Sequence, residues 1–157
     1  MTILDTIIDK KKQEISYRKS IFSIQKLEKC LSFARKTISF QESLKKKDKN
    51  GIISEFKRKS PSKGIINANA SVEEVTAGYV KANVCALSVL TDSFFFGGSS
   101  ADLMAARNFN PETPILRKDF VIDSYQIVEA KAIGADVVLL IASCLTKKEI
   151  DDLAIFA

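Results

Sequence analysis

PILRKDFVIDSYQIVEAKAIGADVVLLIA, residues 114–142, decides the fold of this 157-residue chain. It opens on a short apolar run, PILR (114–117), and crosses a polar turn into a segment with helix signals. Asp123 followed by Gln126 has capping-box spacing, which satisfies the free N–H groups of a first helical turn. Tyr125, Ile127, Val128 and Ala132 are placed for packing, and Gly134 supplies a stop. DVVLLIAS (136–143) then resumes as a nearly unbroken apolar run. Such runs are expected of strands buried on both faces of a parallel sheet. The stretch reads strand, helix, strand.

The same texture extends upstream. IISEF (52–56) and CALSVLT (85–91) are strand-like, and Ser71 with Glu74 has capping-box spacing. Ser99 with Asp102 is a related signal, and Thr146 with Glu149 repeats the box after the last strand. This makes three β-α units and the start of a fourth, with no hairpin turn signature between the strands. Right-handed crossovers make the sheet parallel. The expected class is α/β, either an open doubly wound sheet or one side of a (β/α)8 barrel. No GxGxxG or GxxxxGK[ST] follows a strand, which argues against a nucleotide-binding open sheet.

Residues 1–50 differ from residues 51–157. Leu4, Ile7, Ile8 and Ile15 recur near helical spacing with charge opposite. Ser23 is placed to cap a second helix bearing Leu27 and Leu31, and a third short pattern includes Phe40 and Leu44. This part is expected to be a helical extension ahead of the β-α domain. At the other end, TKKEIDDLAIFA starts a helix near Thr146 and runs out at Ala157 in apolar residues without a cap. The expectation is a chain truncated in helix 4, against a short terminal helix docked on the sheet.

Composition sets further bounds. Hydrophobic residues make up 46% of the chain, as in soluble domains. No apolar run is long enough to span a membrane and no secretory signal pattern opens the chain, so a cytoplasmic location without membrane partners is expected. With no histidine and only three widely spaced cysteines, Cys30, Cys85 and Cys144, zinc-finger and Ser-His-Asp or Cys-His machinery is excluded. The cysteines read as small buried hydrophobes. The net charge of +5 comes largely from Lys10, Lys11 and Lys12 and from Lys45, Lys46, Lys47 and Lys49. Neither run interleaves aromatics as a stacking platform does, so both read as solvated charge with no nucleic-acid role.

Chemistry concentrates where strands end. Alternation puts Ile53, Glu55 and Lys57 on one face of the first strand and Leu116, Lys118 and Phe120 on one face of the third. If those faces meet, Glu55, Lys57 and Lys118 converge at C-terminal strand ends, where (β/α)8 enzymes keep their chemistry. Two lysines offset by one carboxylate suit an anionic substrate and a proton donor. A structural ion-pair network at the rim accounts equally for the spacing. The loop RKSPSKGIINANAS offers Ser60, Ser62, Lys63 and Gly64 for an anion or a flap, or is an ordinary polar loop. Phe94, Phe95 and Phe96 before Gly97 and Gly98 exceed what one core face holds, so at least one is expected to line a pocket for a flat ring.

With these runs together, the sequence resembles the indole-3-glycerol phosphate synthase family. The matching stretches are IISEFKRKSPSKG (52–64), ALSVLTDSFFFGGSSADL (86–103) and residues 114–142. ILDTIIDKKKQEI is similar to the helix that precedes that family's barrel. The resemblance implies a (β/α)8 barrel that closes the indole ring of 1-(2-carboxyphenylamino)-1-deoxyribulose 5-phosphate, a carboxy-lyase reaction of tryptophan biosynthesis, with no metal or organic cofactor. It implies Lys118 as general acid, Lys57 at the substrate carboxylate and Glu55 as the group orienting both. Ser60 would lie in the substrate-binding loop, with Phe96 and Phe120 flanking the anthranilate ring. The family's second catalytic glutamate, an asparagine and its phosphate grip come from later strands. A complete barrel takes about 250 residues, so four of eight strands are expected here, inactive alone and marginally folded or prone to aggregate, with exposed edges open to self-association. A phosphoribosylanthranilate isomerase lacks the extension and the long lysine-bearing loop. The remaining alternative is a non-catalytic half-barrel that pairs with itself or with a separate C-terminal half.

Overall fold

In the computed structural model, which describes residues 2–157, the chain begins with helices. Helix α1 (Ile3–Ile21) starts in a full capping box between Thr2 and Asp5 that the sequence reading overlooked. Its buried stripe is Ile7, Lys11 and Ile15, one residue per i,i+4 step. Helix α2 (Ile24–Glu28) begins after Ser23, whose side chain makes no capping bond. After a 3-10 turn at Leu31–Ala34, α3 (Phe40–Lys45) is capped by Ser39, which accepts from the Glu42 N–H.

The β-α region follows. Strand β1 (Ile53–Phe56) leads into a small antiparallel hairpin, β2 (Lys59–Ser60) and β3 (Gly64–Ile65), where the sequence suggested a loop without strands. Then come α4 (Val72–Lys81), β4 (Ala86–Leu90), the short α5 (Ser93–Phe96), α6 (Ser100–Phe109), β5 (Ile115–Lys118), α7 (Ser124–Ala132), β6 (Val137–Val138) and α8 (Lys147–Phe156). The main sheet has the order β1-β4-β5-β6, and each pair is parallel. Strands thus neighbour one another in chain order, each pair joined by a helical crossover, as the β-α reading requires.

The register defines two faces. Phe56, Leu87, Val89 and Ile115 point outward into a core shared with Val72, Leu103, Ala106, Ala130 and Ile133 from the connecting segments and helices. The opposite, inner face carries Glu55, Ser88 and Leu116 at one level and Leu90 and Lys118 at the next. Ile53, on that same face at the start of β1, remains 43% exposed.

Several local expectations are revised. The apolar run 136–143 yields only a two-residue strand, half-buried, and its end turns into a 3-10 segment at Ala142–Cys144. β6 has one strand neighbour, so its pattern is matched by neither a second ladder nor two covered faces. Of the anticipated boxes only Thr146–Glu149 is reciprocal. Ser71 and Ser99 accept from the N–H three residues on, but Asp123 caps Tyr125 instead. Gln126 staples the preceding turn, accepting from the Ile122 N–H and donating to the Phe120 carbonyl. Gly134 ends α7 at φ +97, a conformation that disfavours a side chain. Cys85 is buried, but Cys30 and Cys144 are only half-buried.

The helical segment is fastened to the sheet region. Ile15 and Leu27 pack with Tyr125, Val128 and Ala132. The Tyr125 hydroxyl donates to the Phe22 carbonyl at 2.9 Å, Arg18 pairs with Glu129 at 2.6 Å, and Ser43 donates to the Cys85 carbonyl at 2.6 Å. Arg35 and Arg107 both pair with the buried carboxylate of Asp136.

Candidate active site

One carboxylate organises the inner face. Glu55 Oε1 accepts from Lys57 Nζ at 2.8 Å, and Glu55 Oε2 accepts from Lys118 Nζ at 2.9 Å. All three side chains are roughly a third exposed, so water and ligand reach them. Burial pushes the Glu55 carboxyl up, but hydrogen bonds and charge from Lys57 and Lys118 outweigh it and hold it below its ordinary value. Tyr79 donates from its hydroxyl to the Glu55 carbonyl at 3.3 Å, fixing that backbone from α4. The sequence-derived trio is thus brought together by β1 and β5.

The aromatic side of the site comes from two loops. Phe96 and Phe120 lie with ring centroids 6.1 Å apart at 41°. Phe96 ends α5, a single turn where the sequence suggested a loop. Asp92 caps that turn by accepting from the Phe95 N–H. Phe94 is exposed, edge-on to Phe95 at 4.8 Å, and takes no part in the inner face. Gly98 follows because the chain passes so close to β4 that a Cβ there would lie 2.1 Å from the Leu90 carbonyl oxygen. Ser60 is buried within the hairpin, where its hydroxyl accepts from the Lys63 N–H at 3.2 Å. The hairpin leans on α5 through Lys59, whose ammonium donates to the Phe94 carbonyl at 3.0 Å. Arg58 ties it to α6 through Asp102 at 2.7 Å.

Immediately behind the site is a charge cluster that sequence reasoning missed. Lys11, expected in water, is 2% exposed. Its ammonium meets Glu14 at 2.7 Å, Asp119 at 2.9 Å and Asp92 at 3.0 Å. Burial pulls its pKa down, but Asp119, Glu14 and Asp92 together raise it above the ordinary lysine value, so it is charged. Arg117 joins Asp119 at 3.0 Å and Glu129 at 2.8 Å. A signal was present: Lys11 lies four residues from both Ile7 and Ile15, on the apolar stripe. On the inner face itself, Ser88 is 4% exposed and its hydroxyl has no hydrogen-bond partner among the described residues.

Sequence comparison places this geometry. The family described as indole-3-glycerol phosphate synthase matches residues 4–157. The chain belongs to that family. It is 45% identical over 152 residues to the indole-3-glycerol phosphate synthase of Bacteroides thetaiotaomicron, covering 97% of this chain and 58% of that protein. It is 39% identical over 153 residues to the synthase of Acinetobacter baumannii, covering 98% of this chain and 56% of the relative. The synthase of Campylobacter fetus subsp. fetus is 41% identical over 145 residues, or 92% and 56% of the two chains. The chain therefore spans a little over half the length of these relatives. Within this synthase family the four parallel strands are an N-terminal portion of a (β/α)8 barrel. Among the described residues no helix is long and apolar enough to cross a membrane.

Proposed function

We propose that this chain supplies the proton-donating and ring-holding half of an indole-3-glycerol phosphate synthase active site. The observation that carries the reading is Glu55 held between Lys57 and Lys118 at the C-terminal ends of two parallel strands. The substrate is 1-(2-carboxyphenylamino)-1-deoxyribulose 5-phosphate, an anion at both ends with a flat ring between. Phe96 and Phe120 flank the ring, and Ser60 belongs to the loop that closes on it. Lys57 meets the carboxylate. As the ring carbon bearing that carboxylate attacks the ketone, the Lys118 ammonium donates its proton to the developing alkoxide. The carboxylate leaves as carbon dioxide and its bonding pair returns to the ring. The new hydroxyl then departs as water, taking a proton from the Lys57 ammonium, while the CH2 between that carbon and the ring nitrogen loses a proton and its C–H pair becomes the new double bond. Glu55 keeps both ammonium groups charged and aimed, and these steps need no metal or organic cofactor.

Residues 1–50 serve, in this reading, as an extension that braces residues 51–157, and the reaction takes place in the cytoplasm. Incubating the encoded protein with the substrate and following indole formation by absorbance tests the assignment. Formation of the indole supports it, and recovery of unchanged substrate overturns it. Residues 1–157 alone are expected to be inactive, because the resemblance assigns a second glutamate and the phosphate grip to later strands. Turnover near that of a complete relative would remove this expectation.

A second reading rests on the sheet ends. β1 and β6 each have one strand neighbour, and a groove of about 620 Å³ beside β6 is lined by Val137, Val138, Leu140 and Phe156. These features favour a half-barrel that pairs with a second copy or with a separate complementary half. Sedimentation of residues 1–157 separates the two: a discrete dimer supports pairing, and a monomer opposes self-pairing.

A further inference from the structure

The buried cluster behind the catalytic trio ties together the two segments that leave the paired strands β4 and β5. Asp92 follows β4 and caps α5, which carries Phe96. Asp119 follows Lys118 directly and accepts from the Phe120 N–H at 2.8 Å. Each carboxylate therefore orients an aromatic of the ring pair, and Asp119 also fixes the backbone next to Lys118. The Lys11 ammonium sits between them, at 3.0 Å from Asp92 Oδ2 and 2.9 Å from Asp119 Oδ1. It arrives from α1, outside the sheet, and is as buried as the apolar residues on its stripe. A lysine buried on a helix face is costly unless its partners are fixed in place, and here they are the two strand-end carboxylates.

We propose that Lys11 is a positioning residue for ring closure: by bridging Asp92 and Asp119 it holds the Phe96 and Phe120 rings and the Lys118 strand end in one arrangement. Lys11 does not touch the inner face. It acts through the two carboxylates, so α1 contributes to the site as well as to packing. Thr91 and Arg117 complete the shell by donating to Asp119 Oδ2 at 2.7 and 3.0 Å, and Glu14 takes the third direction of the ammonium. The bridge has a second consequence. Undocking α1 removes a cation shared by the two segments, so the extension and the ring pocket order together.

The kinetic part of this inference rests on the ring-closure reading, whereas its structural part does not. Hydrogen exchange is therefore measured on the encoded protein, as wild type, Lys11→Met, Lys11→Arg and the exposed neighbour Lys12→Met. In Lys11→Met the Phe95 and Phe120 amides are expected to lose protection by about tenfold or more, while Leu103 and Ala106 in α6 hold theirs. In the same variant kcat falls by about tenfold with an unchanged shape of pH profile, since the proton donor is intact; Lys11→Arg recovers most of the loss and Lys12→Met shows none. Uniform loss of protection across the sheet, or normal kcat despite lowered stability, overturns the proposal. Should Lys11→Met not fold, Lys11→Gln, which keeps a donor without the charge, is judged by the same exchange pattern. A wild type that forms no indole, with exchange loss still confined to Phe95 and Phe120, sinks the ring-closure reading and supports the bridge.

Discussion

Glu55 and Lys118 stand on strands that share no backbone hydrogen bond, yet their side chains meet at 2.9 Å across β4. The carboxylate is the only group in this pair that also reaches Lys57, 2.8 Å away on its own strand. Replacing it by an isosteric amide leaves two ammonium groups repelling each other over the inner face. Glu55→Gln in the encoded protein is expected to lower kcat by about 10²-fold, as loss of an orienting acid–base partner does. Steady-state kinetics with kcat within threefold of wild type would discard the role given to Glu55.

The two lysines separate by kinetic signature. A proton donor acts on charge that develops only in the transition state, so Lys118→Ala is expected to lower kcat by about 10²–10⁴-fold with KM changed only a few-fold. In the proposed reading Lys57 meets a substrate carboxylate that is already charged in the ground state, so Lys57→Ala is expected to raise KM as well. Equal effects of both substitutions on KM alone would argue for simple anion binding.

How far these placements were visible beforehand depended on the kind of signal. Glu55, Lys57 and Lys118 followed from period-2 alternation at strand ends, because a strand fixes side-chain direction whatever surrounds it. The parallel order likewise followed from apolar runs alternating with helix starts. Lys11 did not, because its neighbours in sequence are charged and two of its three carboxylate partners, Asp92 and Asp119, lie more than 80 residues away. Only its spacing from Ile7 and Ile15 marked it. The short β6 escaped for a related reason. An apolar run signals a demand for burial, but no residue of DVVLLIAS is fully buried, and β6 pairs on one side only, so most of the run forms no ladder. The hairpin at Lys59–Ile65 has two residues per strand, too few for alternation to register.

Two glycines give opposite stability predictions. A Cβ at Gly98 would lie 2.1 Å from the Leu90 carbonyl oxygen and 3.1 Å from the Leu90 Cβ, so Gly98→Ala must displace the end of β4 or the start of α6. A loss of about 1–3 kcal/mol is expected, with a lower Tm in thermal unfolding. Gly78 lies inside α4 with nothing within 4 Å of the added carbon. Gly78→Ala is expected to stabilise by roughly 0.5–1 kcal/mol, by restricting the unfolded chain. A neutral Gly98→Ala would mean that the loop carrying Phe96 yields more easily than its packing implies.

Strong acid should weaken the buried cluster. Burial pushes the Asp119 carboxyl up, but Arg117, Lys11 and the Thr91 hydroxyl together hold it down, from 3.8 to about 2. A depressed folded-state value stabilises the protein above the unfolded value, and that stabilisation is lost as pH falls through the folded one. The window therefore runs from about pH 4 down to about pH 2, and the contribution above it is on the order of 2 kcal/mol. Asp119→Asn removes the titration and leaves Lys11 and Arg117 without that carboxylate, at a cost of about 3–5 kcal/mol near neutrality. Urea unfolding followed by far-UV circular dichroism, with wild type and variant at pH 7, 4 and 2.5, should show their stability gap narrow only between the last two. A gap that stays constant down to pH 2.5 would mean that Asp119 is not the carboxylate whose charge the cluster requires.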